Sequence, residues 1–344
     1  MFVLKSNISI GVPGKQLQFT GVHEVTIRKS IHSYIDTATI KLPSIAWLHT
    51  KINSSNPKKV ITGAQFNDGD PVNISLGYNG DMQEEFSGFI KRRNLNMPLE
   101  IECEGYSYKL RRNNISGSWA SISVKDLLKK ATDGLGITLQ VNTDISLNNV
   151  LVSNWTAAQV IDFILKETDG CISIFFIQPT ILWAGLVYTP YSNGTDVFNK
   201  STISYRLGYN VVKDNSLKLR VPDDNPVKVN FSKKLATGEK LNGSSDATEA
   251  AIIRNYRKVL NHIASSPVLK MLAQEKQKRF NYTGYEGRIN AFLQPYALPG
   301  YKANMQDTQY PERNGAYLVE GIEVVYGMGG ARRVIEIGPQ IGGK

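Results

Sequence analysis

Cysteine is nearly missing from this 344-residue chain, which holds only Cys103 and Cys171, each inside an apolar, β-like segment. So few thiols exclude a disulfide framework and point to buried free cysteines in a reducing compartment. Long hydrophobic runs are missing too. No stretch approaches the roughly 18 apolar residues that cross a bilayer, so no stable membrane insertion is expected. Met1-Phe2-Val3-Leu4 runs straight into Lys5-Ser6-Asn7, which leaves no signal-peptide core. The expectation is a protein made and kept in a cytoplasm. Histidine is scarce: His23, His32, His49 and His262 form no H-E-x-x-H pair, and no C-x-x-C is present, so zinc has no support. Neither a G-x-S-x-G elbow nor a phosphate-binding G-x-x-x-x-G-K-[ST] loop occurs. No cofactor and no catalytic residue is assigned, and an enzyme is not expected.

Acidic residues are outnumbered, 30 against 40 basic, for a net charge of +10. That excess suits nucleic acid, acidic proteins or anionic surfaces without choosing among them. The basic runs, such as Lys91-Arg92-Arg93 and Lys276-Gln277-Lys278-Arg279, do not interleave with aromatics as an RNA-reading sheet does. A hydrophobic content of 41% and a charged content of 20% describe a globular chain with room for two or three domains.

What is present is β structure laid out twice. One stretch opens at Gly69-Asp70, runs through Val72-Asn73-Ile74-Ser75-Leu76 to a turn at Asn79-Gly80, and continues as Glu85-Phe86-Ser87-Gly88-Phe89-Ile90. It closes with Leu99-Glu100-Ile101-Glu102-Cys103. A second opens at Gly300-Tyr301, continues through Tyr317-Leu318-Val319-Glu320-Gly321-Ile322 and closes with Arg333-Val334-Ile335-Glu336-Ile337. The intervals between opening and central glycines (69 to 88, and 300 to 321) nearly match, as do those from central glycine to central isoleucine (88 to 101, and 321 to 335). Matched spacing indicates one β module used twice, so that one protomer supplies two equivalent positions in a ring. Gly330, with Gly327-Met328-Gly329 before it, reads as a hairpin turn.

Between the copies the pattern changes. Ser123 caps a helix over 123–131 stopped by Gly134, and Thr156 with Gln159 forms a capping box for a second helix ended by Asp169-Gly170. Two apolar strands follow, joined at Gln178-Pro179-Thr180. Segments 217–221 and 227–231 alternate as returning strands, and 247–280 reads as helical with a new start at Ser266-Pro267. Residues 44–64 read as a loop with a short helix. The division is a first β domain at 1–115, an α+β insert at 116–195, and a second β domain at 196–344 with a helical insertion at about 246–283. The fold class is mainly β: two tube-type barrel or sandwich domains flanking and packed with a small α+β domain. Two acidic pairs are read as turns: Glu84-Glu85 as a solvated hairpin tip, and Asp223-Asp224 before Asn225-Pro226. Tyr285, Tyr296, Tyr301 and Tyr317, in a tyrosine-rich late stretch, are interface candidates, with ordinary sheet packing as the competing reading.

The Gly-Asp opening, the hairpin Phe86-Ser87-Gly88-Phe89-Ile90, the run Glu100-Ile101-Glu102-Cys103-Glu104-Gly105 and the late run Gly330-Ala331-Arg332-Arg333-Val334-Ile335-Glu336-Ile337-Gly338 together resemble the tube domains of phage tail baseplate hub proteins, a family also found in contractile injection systems. The order of modules extends the likeness over nearly the whole chain. The resemblance implies a homotrimer whose six modules form a pseudo-hexameric ring between tail tube and central spike, around the delivery channel. The implied partners are a tail tube or distal tail protein, the spike, other baseplate proteins and a tape-measure protein. DNA passes through without sequence-specific binding. The implied location is the virion baseplate, assembled in a host bacterial cytoplasm. Fused relatives append a lysozyme, OB-fold or spike, for which 338–344 leaves no room, so those functions are expected on separate chains. Competing readings are a hub of a contractile injection or secretion particle, a cell-wall-binding or degrading enzyme, and a basic nucleic-acid-binding module.

Overall fold

The computed structural model describes residues 3–49, 57–220, 227–246 and 254–341. The turn at Asp223-Asp224 and the first residues of the expected 247–280 helix lie outside them. Period-two alternation of burial, as in Ser33–Leu42, where every second side chain is buried, builds one 13-stranded sheet that holds both β copies.

Within it each copy repeats the same six strands. In chain order the first copy has a leading strand (Leu4–Val12), an edge strand (Glu24–Ser30), an inner strand (Ser33–Leu42), an opening strand (Pro71–Tyr78), a central strand (Asp81–Asn94) and a closing strand (Leu99–Glu104). The second has Thr202–Arg206, Val211–Arg220, Gly284–Ala291, Lys302–Gln306, Gly315–Gly327 and Gly330–Gln340 in the same roles. Across the sheet both run leading, opening, central, closing, inner, edge. Two differences separate them: the first copy adds an outer strand, Lys15–Phe19, beside its leading strand, and the leading strand is antiparallel to its opening strand in the first copy and parallel in the second.

Hydrogen bonds fix the equivalence residue by residue. Gly69 N–H donates to the Ile90 carbonyl at 2.8 Å and Ile90 N–H to the Asp70 carbonyl at 2.9 Å. In the second copy Gly300 donates to Val319 and Val319 to Tyr301, both at 2.9 Å. Both opening glycines hold positive φ, +93° and +87°, which a side chain resists. A bulge follows in each central strand, between Ile90 and Arg92 and between Val319 and Gly321. Beyond it Ile101 faces Arg93, and Ile335 faces Ile322. Gly69 therefore matches Gly300, and Ile101 matches Ile335. The central glycines do not match: Gly321 sits where the first copy has Arg92, four positions past Gly88. Similar spacing concealed two different close approaches. A Cβ on Gly88 would strike the Glu104 carbonyl, whereas one on Gly321 would meet the Glu336 carboxylate at 2.8 Å.

The α+β region has its own core. Ser123 accepts from the Asp126 N–H to start helix Val124–Thr132, and the Thr156–Gln159 capping box starts helix Ala157–Glu167. These helices pack Leu127, Leu128, Ile161 and Ile164 together with Val229, Phe231, Leu269 and Leu272. Strand Val227–Lys234 and helix Ser266–Phe280 thus join the insert's core, not that of the second β copy. Part of the expected helix is strand: Arg254–Val259 runs parallel to Val227–Lys234. A helix begins only at Ser266, with Pro267 in its first turn. In the region read as a loop, Ile45–Leu48 pairs with Lys58–Ile61 before a 3₁₀ turn at Thr62–Gln65.

Candidate functional site

The two β copies meet edge to middle. The edge strand of the first lies antiparallel along the second half of the other's central strand, from Ser30 opposite Gly321 to Glu24 opposite Gly327. Ile31 N–H extends the seam to the Glu320 carbonyl at 2.8 Å. Side chains decorate it lightly: Arg28 meets Glu323 at 2.6 Å, but the Arg28 side chain is 67% exposed, so this pair contributes little.

Beneath lies a stronger tie. Arg333, on the second closing strand, is 0% exposed and reaches Glu85 of the first central strand at 2.5 Å. Its guanidinium also donates to the Leu293 and Ala297 carbonyls at 3.2 and 2.9 Å, and stands over the Tyr296 ring. Glu85 is therefore not a solvated hairpin tip. Ile74 faces Phe86 while Ser75 faces Glu84, so Glu85 is the extra residue of a bulge, and the bulge turns it inward. A desolvated, hydrogen-bonded pair between modules ties them in one arrangement and is costly to break.

A second polar cluster joins three parts of the chain. Tyr188 donates its hydroxyl to Glu320 at 2.8 Å, and His32 stands 3.4 Å from both. Arg279 donates to His32 Nδ1 at 3.2 Å. Burial, then the Glu320 charge, raises the Tyr188 phenol well above its ordinary value. Glu275, 1% exposed, accepts from the N–H groups of Val187, Tyr188 and Thr189, which holds helix Tyr188–Ser192 against helix Ser266–Phe280. Glu320 is the bulge residue of its central strand. Its counterpart, Lys91, stays within the first module, 3.6 Å from Glu104, which is 0% exposed and bound by Arg111 at 2.7 Å.

The motif residues identified from sequence fall into three groups. Gly69, Asp70 and Gly300 set the openings; Asn79 and Gly80 make the hairpin turn with φ of 53° and 93°, and Asn79 accepts from Val3 N–H. Gly330, at φ +113°, turns the last hairpin. Tyr285 and Tyr317 pack edge to face inside the second module, 3% and 2% exposed, which leaves no area for a partner. Tyr296 and Tyr301 line a cleft of about 310 Å³ between the modules and the insert, with Lys29, Asp36, Glu84 and Gln178. Sequence reasoning missed Arg333, Glu320, Glu275 and Asp36.

Asp36 gives a pH-dependent test. Burial, partly offset by Lys29, pushes its carboxyl up to about 7 from 3.8. The folded chain then holds this proton more tightly than the unfolded chain, so stability falls as pH rises from about 4 to about 7. Asp36→Asn is expected to stabilise the fold, by about 2 kcal/mol more at pH 8 than at pH 5, measured as urea midpoints. Equal gains at both pH values would mean that the carboxyl titrates normally.

No protein-family model matches the chain, and no curated protein matches its sequence. Solved structures do match. The 43 kDa tail protein of prophage MuSo2 from Shewanella oneidensis superposes with a TM-score of 0.64 at 12% identity, over 98% of both chains. A tail protein from Neisseria meningitidis MC58 gives 0.63 at 12% identity over 96% of each. An Escherichia coli component of the type VI secretion system, itself described as similar to bacteriophage T4 tail proteins, gives 0.57 at 9% over 96% of this chain and 76% of that one. The chain has the fold of phage tail proteins, mainly β with a small α+β insert.

Proposed function

We propose that this chain is the structural hub of a phage tail baseplate. Three copies close a pseudo-hexameric ring that joins the six-fold tail tube to a three-fold central spike and encloses the delivery channel. The observation that carries this reading is the seam. Two modules of equal strand order meet edge to middle, a head-to-tail contact that generates a ring when it is repeated and closes. The work done is symmetry adaptation, not catalysis. In this reading the ring is built from 1–115 and 196–344, except that strands Val227–Lys234 and Arg254–Val259 and helix Ser266–Phe280 sit with the insert at 116–195.

The partners are further copies of the chain, a tube or distal tail protein, the spike, other baseplate proteins and a tape-measure protein. DNA crosses the channel without base recognition, and the +10 excess serves protein interfaces more than the lumen, since each phosphate neutralised slows passage. Among the described residues no helix is long and apolar enough to cross a membrane. The place of action is the virion baseplate, after assembly in the host bacterial cytoplasm. The similarity to a secretion-system component supports a second reading, the hub of an injection particle, which assigns the ring the same task. Gold-labelled antibody against this chain, imaged on purified particles, is expected to mark the tail tip where tube meets spike. Label along the tube or at the head end would overturn the proposal.

A further inference from the structure

The ring requires a contact between copies, and internal equivalence specifies it. In the chain's own seam Arg28 lies opposite Glu323. Each has a counterpart in the other module. Ala38 faces Cys103, and Gly287 faces Ile337, so the inner strands match with Thr37 equivalent to Glu286. Arg28 faces Thr37 and Lys218 faces Glu286, which makes Lys218 the counterpart of Arg28. On the central strands Arg92 matches Gly321, so Asn94 matches Glu323.

We propose that the outer edge of strand Val211–Arg220 docks along 92–97 of a second copy of this chain, with Lys218 of one copy facing Asn94 of the next. The proposal rests on the ring reading and deepens it by naming the contact. Val211–Arg220 ends the sheet, with a strand on one side alone among the described residues. On the receiving strand, no strand flanks 92–94 on the side away from Leu99–Glu104 among the described residues. Each of the two edges carries exposed apolar side chains. Val212 and Leu219 are 51% and 56% exposed on the donor edge, and Leu95 and Met97 are 76% and 89% exposed on the acceptor. The seam positions equivalent to Leu95 and Met97 are Val324 and Tyr326, buried at 0% and 6% where the neighbouring module is present. Open strand edges bearing large apolar residues are what a protein working as a monomer avoids. The backbone turns after Asn94, where Asn96 N–H donates back to its carbonyl, so beyond that point contact passes through side chains.

Cysteine cross-linking tests the register. Full-length Lys218→Cys and Asn94→Cys chains are mixed and oxidised; the natural thiols, Cys103 and Cys171, are buried. A disulfide-linked pair is expected from the mixture and from neither variant alone, and the double variant is expected to give linked species up to three chains. Assembled rings without this cross-link overturn the proposed contact and leave the ring reading standing. A wild-type chain that stays monomeric at the highest concentration it tolerates overturns the ring reading and the contact with it. Leu95→Asp supplies a second readout: it is expected to shift the assembly toward monomer while the urea midpoint of the monomer stays unchanged. Undiminished assembly by this variant contradicts the contact.

Discussion

Arg333→Met is expected to lower the stability of the folded chain by about 3–5 kcal/mol, seen as an earlier urea midpoint at unchanged slope. The size follows from what remains behind. Glu85 would stay 1% exposed with its cationic partner gone, and the Leu293 and Ala297 carbonyls would each lose a charged donor. Glu85→Gln is expected to cost less, because the amide oxygen still accepts from Arg333 while no lone carboxylate is stranded. Replacing both partners, as Arg333→Met with Glu85→Leu, is expected to recover part of the loss, since apolar groups of similar volume often substitute well for a buried pair. A loss below 1 kcal/mol for Arg333→Met would mean that water reaches the pair and that it does not tie the modules together.

The second large effect is expected at Glu275. Its carboxylate accepts from three consecutive backbone N–H groups at 2.7–2.9 Å in a buried position. Glu275→Ala leaves those donors without a partner, and each buried orphan costs about 1–3 kcal/mol, though not additively. A total loss of about 3 kcal/mol is expected, and its location is the sharper check. Amide exchange should speed up at Val187, Tyr188 and Thr189 and spread to the Tyr188–Glu320 contact, while the first β module remains protected. Uniform acceleration over the whole chain would contradict a local anchoring role.

Local rules were readable and long-range ones were not. Ser123, the Thr156–Gln159 box, Asn79-Gly80 and the Pro267 start appear in the structure as written, because each depends on a few neighbouring residues. The opening glycines were legible for the same reason, as positive φ leaves a mark in sequence. Glu85 was not: a bulge reversed its direction, and its partner stands 248 positions away. Segment 254–259, Arg254-Asn255-Tyr256-Arg257-Lys258-Val259, shows no period-two alternation that would mark a strand, and the helical pattern following it drew the whole stretch toward helix. The assignment of Val227–Lys234 to the middle core depends on which apolar face it meets, and alternation alone does not record that. The duplication was visible in spacing. Its true register came only from the paired hydrogen bonds at Ile90 and Val319, which moved Gly321 away from Gly88. The seam itself left no local signal beyond two alternating strands.

The account stands on two like modules in one chain repeating around a closed axis. The most direct test is the mass of the purified full-length chain in solution, read together with electron-microscope class averages of the same sample. A mass of three chains and a ring with six similar lobes around a central opening is the predicted result. A two-fold dimer, or an open filament in which the contact repeats without closing, would contradict it.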